Sequence, residues 1–190
     1  MFEKVSFVQW TEAMANSGME DDIIEEIYNS IIIPKRGTVG SAGYDFYCPF
    51  KIDVVADKKY IIPTGIKCDM SNINFGRGEH EIEGSSEHGL RVTENFDYIP
   101  QACALLMYPR SSLGFKFGMK MMNTVPVIDA DYYDNQDNEG HIFVAFKADR
   151  NFTIMPGDKF CQGILTTVGI FNDEEVPTAT RMGGIGSTGA

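Results

Sequence analysis

From Ile31 onward the sequence is a succession of short apolar segments, each cut off within a few residues by Gly, Pro, Asn or Asp. A helix of ordinary length does not survive that punctuation, whereas short strands require it. Gly and Asn accept positive φ, Pro ends a ladder, and Asp closes a turn on its own backbone. Read in order, the segments predict strands over 43–47, 59–63, 65–69, 102–108, 125–129, 141–147, 152–154 and 160–168. Eight or more such strands in 190 residues point to an all-β sandwich, jelly roll or barrel. The abundance of Gly (19), Phe (13) and Tyr (8) suits the same class. The length fits one domain closed around a single core.

The front of the chain differs. Residues 4–10 alternate Val5 and Phe7 with Ser6 and Val8, which predicts a short strand. Ser17-Gly18-Met19-Glu20 then has the form of a capping box, and Ile23, Ile24, Ile27, Tyr28 and Ile31 recur at helical spacing. These predict one helix over 19–29, with Asp21 and Asp22 favoured in its first turn by the macrodipole. Two segments read as insertions in a single β domain spanning 1–180. Residues 11–30 hold six acids and no Lys or Arg, and residues 71–100 hold six acids and two Arg. The second is too long for a structureless loop, so short strands are expected near 81–82 and 90–93. A glycine-rich arm, 181–190, follows.

Lys and Arg number 16 against 27 Asp and Glu, a formal net charge of −11. Polyanion binding needs clustered cations, so the balance excludes an unselective nucleic-acid binder. A small phosphate ligand needs only a few placed donors and is not excluded. The charge is also uneven: 11–30 contributes −6 and 71–100 contributes −4, leaving the scaffold at −1. No apolar run approaches a membrane span and no apolar leader opens the chain, so a cytoplasmic protein with no membrane partner is expected. Cys48, Cys68, Cys103 and Cys161 lie far apart without zinc-ligand spacing, and are expected as free thiols. His80 and His88 lack a companion Cys or third His and are expected as surface residues rather than ligands.

Three stretches carry chemistry. Tyr108-Pro109-Arg110-Ser111-Ser112-Leu113-Gly114 places a guanidinium and two hydroxyls just after a strand-ending proline, and Leu105 to Val125 contains three cations and no acid. The stretch suits phosphate oxygens, or else is a solvated turn capped by serine. Val127-Ile128-Asp129-Ala130-Asp131-Tyr132 runs an apolar strand into an acidic turn. Asp129 there is a candidate to orient or deprotonate water and Tyr132 to face a base or sugar, the alternative being an Asp-rich turn with a packed Tyr. The Asx-rich run 131–139 lacks EF-hand spacing and is not read as a calcium loop. Arg181-Met182-Gly183-Gly184-Ile185-Gly186-Ser187-Thr188-Gly189 offers convergent amides and hydroxyls to an anion, or is a loose tail.

Five stretches, in order, resemble the motifs of the trimeric dUTP diphosphatase (dUTPase) family. They are Ser41-Ala42-Gly43-Tyr44-Asp45-Phe46, then 109–118, 123–132, Pro156-Gly157-Asp158-Lys159-Phe160-Cys161-Gln162, and 181–189. The resemblance implies a jelly-roll-like, β-clip subunit, a homotrimer with shared active sites, and Mg²⁺-dependent hydrolysis of dUTP to dUMP and pyrophosphate. That reaction keeps uracil out of DNA and supplies dUMP for dTMP synthesis. It implies that Asp129 activates water and that Tyr132 packs on the deoxyribose. Asn123, Val127 and Ile128 would read uracil. Arg110, Ser111, Ser112 and Gln162 would bind phosphates, with Ser111 beside the scissile bridge and Ser111 and Gln162 assisting the reaction. Asp45 would support Mg²⁺ through water. Arg181, Ile185, Gly186, Ser187 and Thr188 would close the arm over the triphosphate.

The chain departs from the family pattern at Pro126 in place of glycine, at Ile185 in place of an aromatic lid, and in the extended 133–140 segment after the tyrosine. Two other functions fit the fold. A dCTP deaminase would release ammonia rather than pyrophosphate. A regulatory module would use 71–100 to meet a protein partner.

Overall fold

The structure is a computed structural model that describes residues 1–71, 73, 102–169, 181 and 183. The insertion at 71–100 and the arm therefore lie almost wholly outside the described residues. So do the strands expected near 81–82 and 90–93, His80, His88, Ile185, Gly186, Ser187 and Thr188.

Described elements run β1 (Phe2–Lys4), α1 (Phe7–Met14), α2 (Asp21–Ser30), β2 (Lys35–Arg36), β3 (Tyr44–Tyr47), β4 (Ile52–Val54), β5 (Tyr60–Pro63) and β6 (Ile66–Cys68). They continue with β7 (Ala102–Pro109), α3 (Ser111–Phe117), β8 (Lys120–Met121), β9 (Val127–Asp129), a 3-10 turn (Ala130–Tyr132), β10 (Phe143–Lys147), β11 (Phe152–Ile154) and β12 (Lys159–Val168). The eight strands expected between 43 and 168 are present, displaced by a few residues at most, and β2, β4 and β8 are additional. All described pairings are antiparallel: a five-stranded sheet β2-β3-β12-β7-β9, a three-stranded sheet β5-β10-β8, and the pairs β1-β6 and β4-β11.

Alternation does the burying. In β10, Val144 and Phe146 are inside while Phe143, Ala145 and Lys147 are half-buried, as the period of two demands. Phe46, Leu105, Met107, Phe146, Phe160 and Ile154 form the centre of one continuous core. Burial pushes the thiols of Cys48 and Cys68 up to about 12, and all four cysteines are free.

The first ten residues correct the sequence reading. The strand ends at Lys4, and Phe7 to Trp10 belong to a helix instead. Ser6 caps it, its Oγ accepting from the Gln9 amide at 3.1 Å. Trp10 is fully buried, and its indole N–H donates to the Ile24 carbonyl at 3.0 Å, which locks α1 to α2. That tertiary anchor outweighs the strand preference of Phe-Val-Gln-Trp. There are thus two front helices rather than one. The capping box does not form: Ser17 Oγ accepts from Met19 N at 3.2 Å, and α2 starts from Glu20 with no side-chain cap. Nor is 11–30 merely an acidic appendage. Its Met14 and Ile24 join the main core, leaving the acids outside. Among the described residues no helix is long and apolar enough to cross a membrane.

Candidate active site

The first cluster is made by register. On β12, Gln162 lies opposite Asp45 of β3 on one side and Tyr108 of β7 on the other. A bulge between Lys159 and Cys161 slips the β12–β3 ladder by one residue. It sends Phe160 and Cys161 both into the core while Lys159 reaches Asp45. Asp45 is only 2% exposed, yet its two oxygens meet Arg110 Nη1 at 2.6 Å and Lys159 Nζ at 2.8 Å. A carboxylate this buried requires such partners. The hydrogen bond to Asp45 in turn raises the pKa of Lys159. Two cations around one carboxylate leave the cluster attractive to anions.

Arg110 stands at the N-cap of α3, where Leu113 N and Gly114 N donate to its carbonyl at 3.0 Å each. Ser111 and Ser112 follow it, exposed. The helix closes at Gly118, whose φ of +66° suits the left-handed cap. Beside α3 lies an open cleft of about 550 Å³ lined by Tyr108, Arg110, Ser111, Phe115, Gln162 and Ile164. A Cβ at Gly43 would come within 2.6 Å of Gln162 Oε1, so any larger residue there displaces the Gln162 side chain.

The second cluster lies on the edge of the same sheet. Val127 is exposed and Ile128 half-buried on β9, and Asn123 is exposed in the preceding turn. The strand runs into the 3-10 turn that carries Asp129, Asp131 and Tyr132. Arg181 Nη1 lies 3.1 Å from Asp129 Oδ2 and 3.1 Å from Asp131 Oδ1, and its guanidinium sits 5.4 Å over the Tyr132 ring. The Tyr132 ring is buried, its hydroxyl donating to the His141 carbonyl at 3.0 Å and accepting from Asn138 Nδ2 at 2.8 Å. Burial raises its pKa against the opposing pull of Asn138 and Arg181. His141 is fully buried, accepts from Gly65 N at 2.8 Å through Nε2, and leaves Nδ1 without a partner. Desolvation lowers its pKa to about 4 although Glu139 opposes this, so the ring is neutral at physiological pH.

Sequence reasoning named Asp45, Arg110, Ser111 and Gln162, which the sheet and the start of α3 bring together, and Ser112, which instead lines a second cleft with Thr153, Asp158 and Lys159. It also named Asp129, Tyr132 and Arg181, which meet in the second cluster. It does not bring the two groups together within one chain. Asp129 lies opposite Ala104, six positions along β7 from Arg110. At about 3.4 Å per residue that is about 20 Å. Lys159, Asn135, Asn138, Glu139 and His141 were not anticipated as contributors. The signals were a Lys inside the fourth motif and Asn at intervals of three in an unusually long loop. Among the described residues no group of three His, Cys, Asp or Glu is arranged to hold a metal ion.

The dUTPase family model matches residues 85–189, more than half of the chain. A deoxyuridine 5′-triphosphate nucleotidohydrolase of Lactococcus lactis is 34% identical over 163 residues, covering 84% of this chain and 89% of that protein. One of Wolinella succinogenes is 24% identical over 168 residues, covering 86% and 91%. Among solved structures, a dUTPase from Streptococcus mutans superposes with a TM-score of 0.57 at 24% identity, covering 90% of this chain and 98% of that one. A mutant dUTPase from phage phi11 of S. aureus, described as coordinating a structural Mg(II) ion, gives a TM-score of 0.52 at 15% identity, covering 77% and 90%.

Proposed function

The chain belongs to the dUTPase family, and on that premise we propose that it hydrolyses dUTP to dUMP and pyrophosphate at sites shared between copies of the chain. The supporting observation is the placement of the two clusters on β7: Asp129 lies opposite Ala104, while Arg110 follows the far end of the strand at Pro109, on the order of 20 Å of extended chain away. The phosphate-binding group (Arg110, Ser111, Gln162) and the water-and-sugar group (Asp129, Tyr132) have complementary tasks but stand at different ends of β7 in one chain. Copies assembled so that one subunit's Arg110 cluster faces another's Asp129 cluster resolve this, and a closed threefold ring is the arrangement the motifs imply.

In that arrangement Arg110 and the hydroxyls of Ser111 and Ser112 hold phosphate oxygens, with Ser111 nearest the bond that breaks, and Gln162 supplies an amide donor. Such preorganised donors stabilise the charge that develops as the bond lengthens. Asp129 accepts a proton from, and so orients, the attacking water. The Arg181 contact engages only Oδ2 of this carboxylate. Tyr132 packs its ring on the deoxyribose, while Asn123 and the backbone at Val127 and Ile128 face the uracil. The arm residues Arg181, Ile185, Gly186, Ser187 and Thr188 close over the nucleotide.

The residues fit Mg²⁺ as an ion carried by the triphosphate. Both oxygens of Asp45 already engage cations, so Asp45 supports the ion through water rather than as a direct ligand. When bound, Mg²⁺ would offset phosphate charge.

The test is pyrophosphate release from dUTP compared with dCTP, dTTP and UTP, with and without Mg²⁺, alongside the solution mass. Pyrophosphate and dUMP from a trimer are expected. Ammonia from dCTP would replace this reading with a deaminase, and full activity in a monomer would overturn the shared site.

A further inference from the structure

The segment 133–140 contributes nothing apolar to the core: Tyr133 is half-buried outside it, and Asp134 through Gly140 are polar or glycine. Yet the structure holds it in one conformation at a cost. Asp134 (φ +55°), Glu139 (φ +56°) and Gly140 (φ +81°) are all left-handed. That is unusual for a Glu, and such strain persists only where surrounding contacts enforce it. A Cβ at Gly140 would come within 2.7 Å of the Tyr132 carbonyl oxygen and 2.9 Å of Tyr133 Cα, backbone that cannot step aside.

The enforcing contacts are of two kinds. On the outside, the Glu139 carboxylate accepts from the Ser6 amide at 2.9 Å and from the Ser6 hydroxyl, and Lys67 approaches it at 3.5 Å. Burial disfavours the Glu139 anion, but these bonds outweigh it and hold its carboxyl below the ordinary range. Tyr133 donates to Glu3, and Lys67 lies 5.1 Å over its ring. On the inside the contacts converge on one residue. Asn135 Nδ2 donates to the Tyr132 carbonyl at 2.7 Å and to Asn138 Oδ1 at 2.8 Å. Asn138 Oδ1 also accepts from Gly140 N at 3.1 Å.

With Asn138 Oδ1 accepting twice, the orientation of its amide is determined, and Nδ2 must be the group that faces Tyr132. The phenol then has no choice of role. It accepts from Asn138 and donates to the His141 carbonyl, so both the ring position and the hydroxyl rotor are set.

We propose that Asn138 is a positioning residue for nucleotide selectivity: through the Tyr132 hydroxyl it holds the Tyr132 ring at the height that admits deoxyribose and excludes a 2′-hydroxyl. The inference rests on the assignment of Tyr132 to the sugar. The 133–140 segment is the brace, anchored to the front of the chain through Ser6 and Glu3, and Asn138 is its working end.

The experiment measures kcat/KM for dUTP and UTP in the full-length assembled enzyme and in Asn138→Ala, Tyr132→Phe, their double variant, and Tyr132→Ala. Losing one neutral hydrogen bond corresponds to about fivefold. Asn138→Ala should lower the dUTP-to-UTP ratio by about that factor, Tyr132→Phe, which breaks the bonds to both Asn138 and the His141 carbonyl, by at least as much, and the double variant by no more than Tyr132→Phe alone. Tyr132→Phe removes the same hydrogen bond from its other end and carries the test if the alanine variant folds poorly. A merely structural asparagine would lower turnover of both nucleotides in proportion and leave the ratio intact, which overturns the proposal. So would additive effects in the double variant. If Tyr132→Ala also leaves the ratio unchanged, the sugar assignment itself fails, an outcome distinct from Asn138 failing alone.

Discussion

The two halves of the candidate site are built by different means. The Asp45–Arg110–Gln162 cluster sits where three strands pair, so backbone register brings its members together and two salt bridges finish the work. The Asp129–Tyr132 turn hangs from an edge strand of three residues, and side-chain hydrogen bonds from a polar loop hold it in shape. A register-built site resists loss of one side chain in its geometry but suffers electrostatically, because the carboxylate at its centre stays buried. A loop-built site is sensitive to each hydrogen bond, and correspondingly easy to retune.

The contrast can be broken at several points. The largest effect is expected from Asp129→Asn, which keeps the shape of the turn but cannot take a proton from water. Turnover should fall about 10²–10⁴-fold with triphosphate affinity retained, checked by single-turnover kinetics and nucleotide binding. Unchanged turnover would remove Asp129 from the reaction. Arg110→Ala acts on the register-built half and leaves Asp45 buried with Lys159 alone. Because breaking a buried pair costs about 3–5 kcal/mol and one cation remains, about 2–3 kcal/mol of stability should be lost, together with phosphate affinity. Chemical denaturation with and without nucleotide separates the two losses.

His141 sharpens the comparison by pH. Its folded pKa of about 4 lies below the ordinary value of about 6.5, so between these values the unfolded chain takes up a proton that the native one refuses. Its contribution is therefore complete above about pH 6.5 and is lost as pH falls toward 4, up to about 3 kcal/mol. Replacing His141 by Gln should flatten this limb of the stability profile; an unchanged limb would assign it to carboxylates elsewhere. Ser6→Ala should have the smallest effect, about 1 kcal/mol from the lost cap, with the dUTP-to-UTP ratio shifting only if the brace depends on its outer anchor.

Much of this was legible in the sequence because it depends on local chemistry. Turn residues divided eight of the described strands to within a few positions, and Pro109 marked the end of β7. The errors came where distant contacts decide. Phe7 to Trp10 have strand-forming side chains, but a buried tryptophan seeking a carbonyl on α2 made them helical. The capping box at Ser17 had the right letters and did not form: Ser17 Oγ took the Met19 amide, and α2 begins only at Asp21. The polar 133–140 segment read only as a departure from the family pattern. Nothing local shows that Asn138 would turn onto the Tyr132 phenol and Asn135 onto the Tyr132 carbonyl and Asn138.

By itself the sequence determined the class of fold, the near-neutral scaffold hidden under acidic additions, and the residue types available for a phosphate and a water. Those follow from periodicity, charge and turn chemistry, each a property of a few neighbouring residues. Only the tertiary structure decided that Asp45 would lie between Arg110 and Lys159, that Asp129 would pair opposite Ala104 at the other end of β7, and that Asn138 would bond to Tyr132. Each of these joins residues that pairing or loop closure brings together, and register across a sheet is set by the whole core rather than by any one strand.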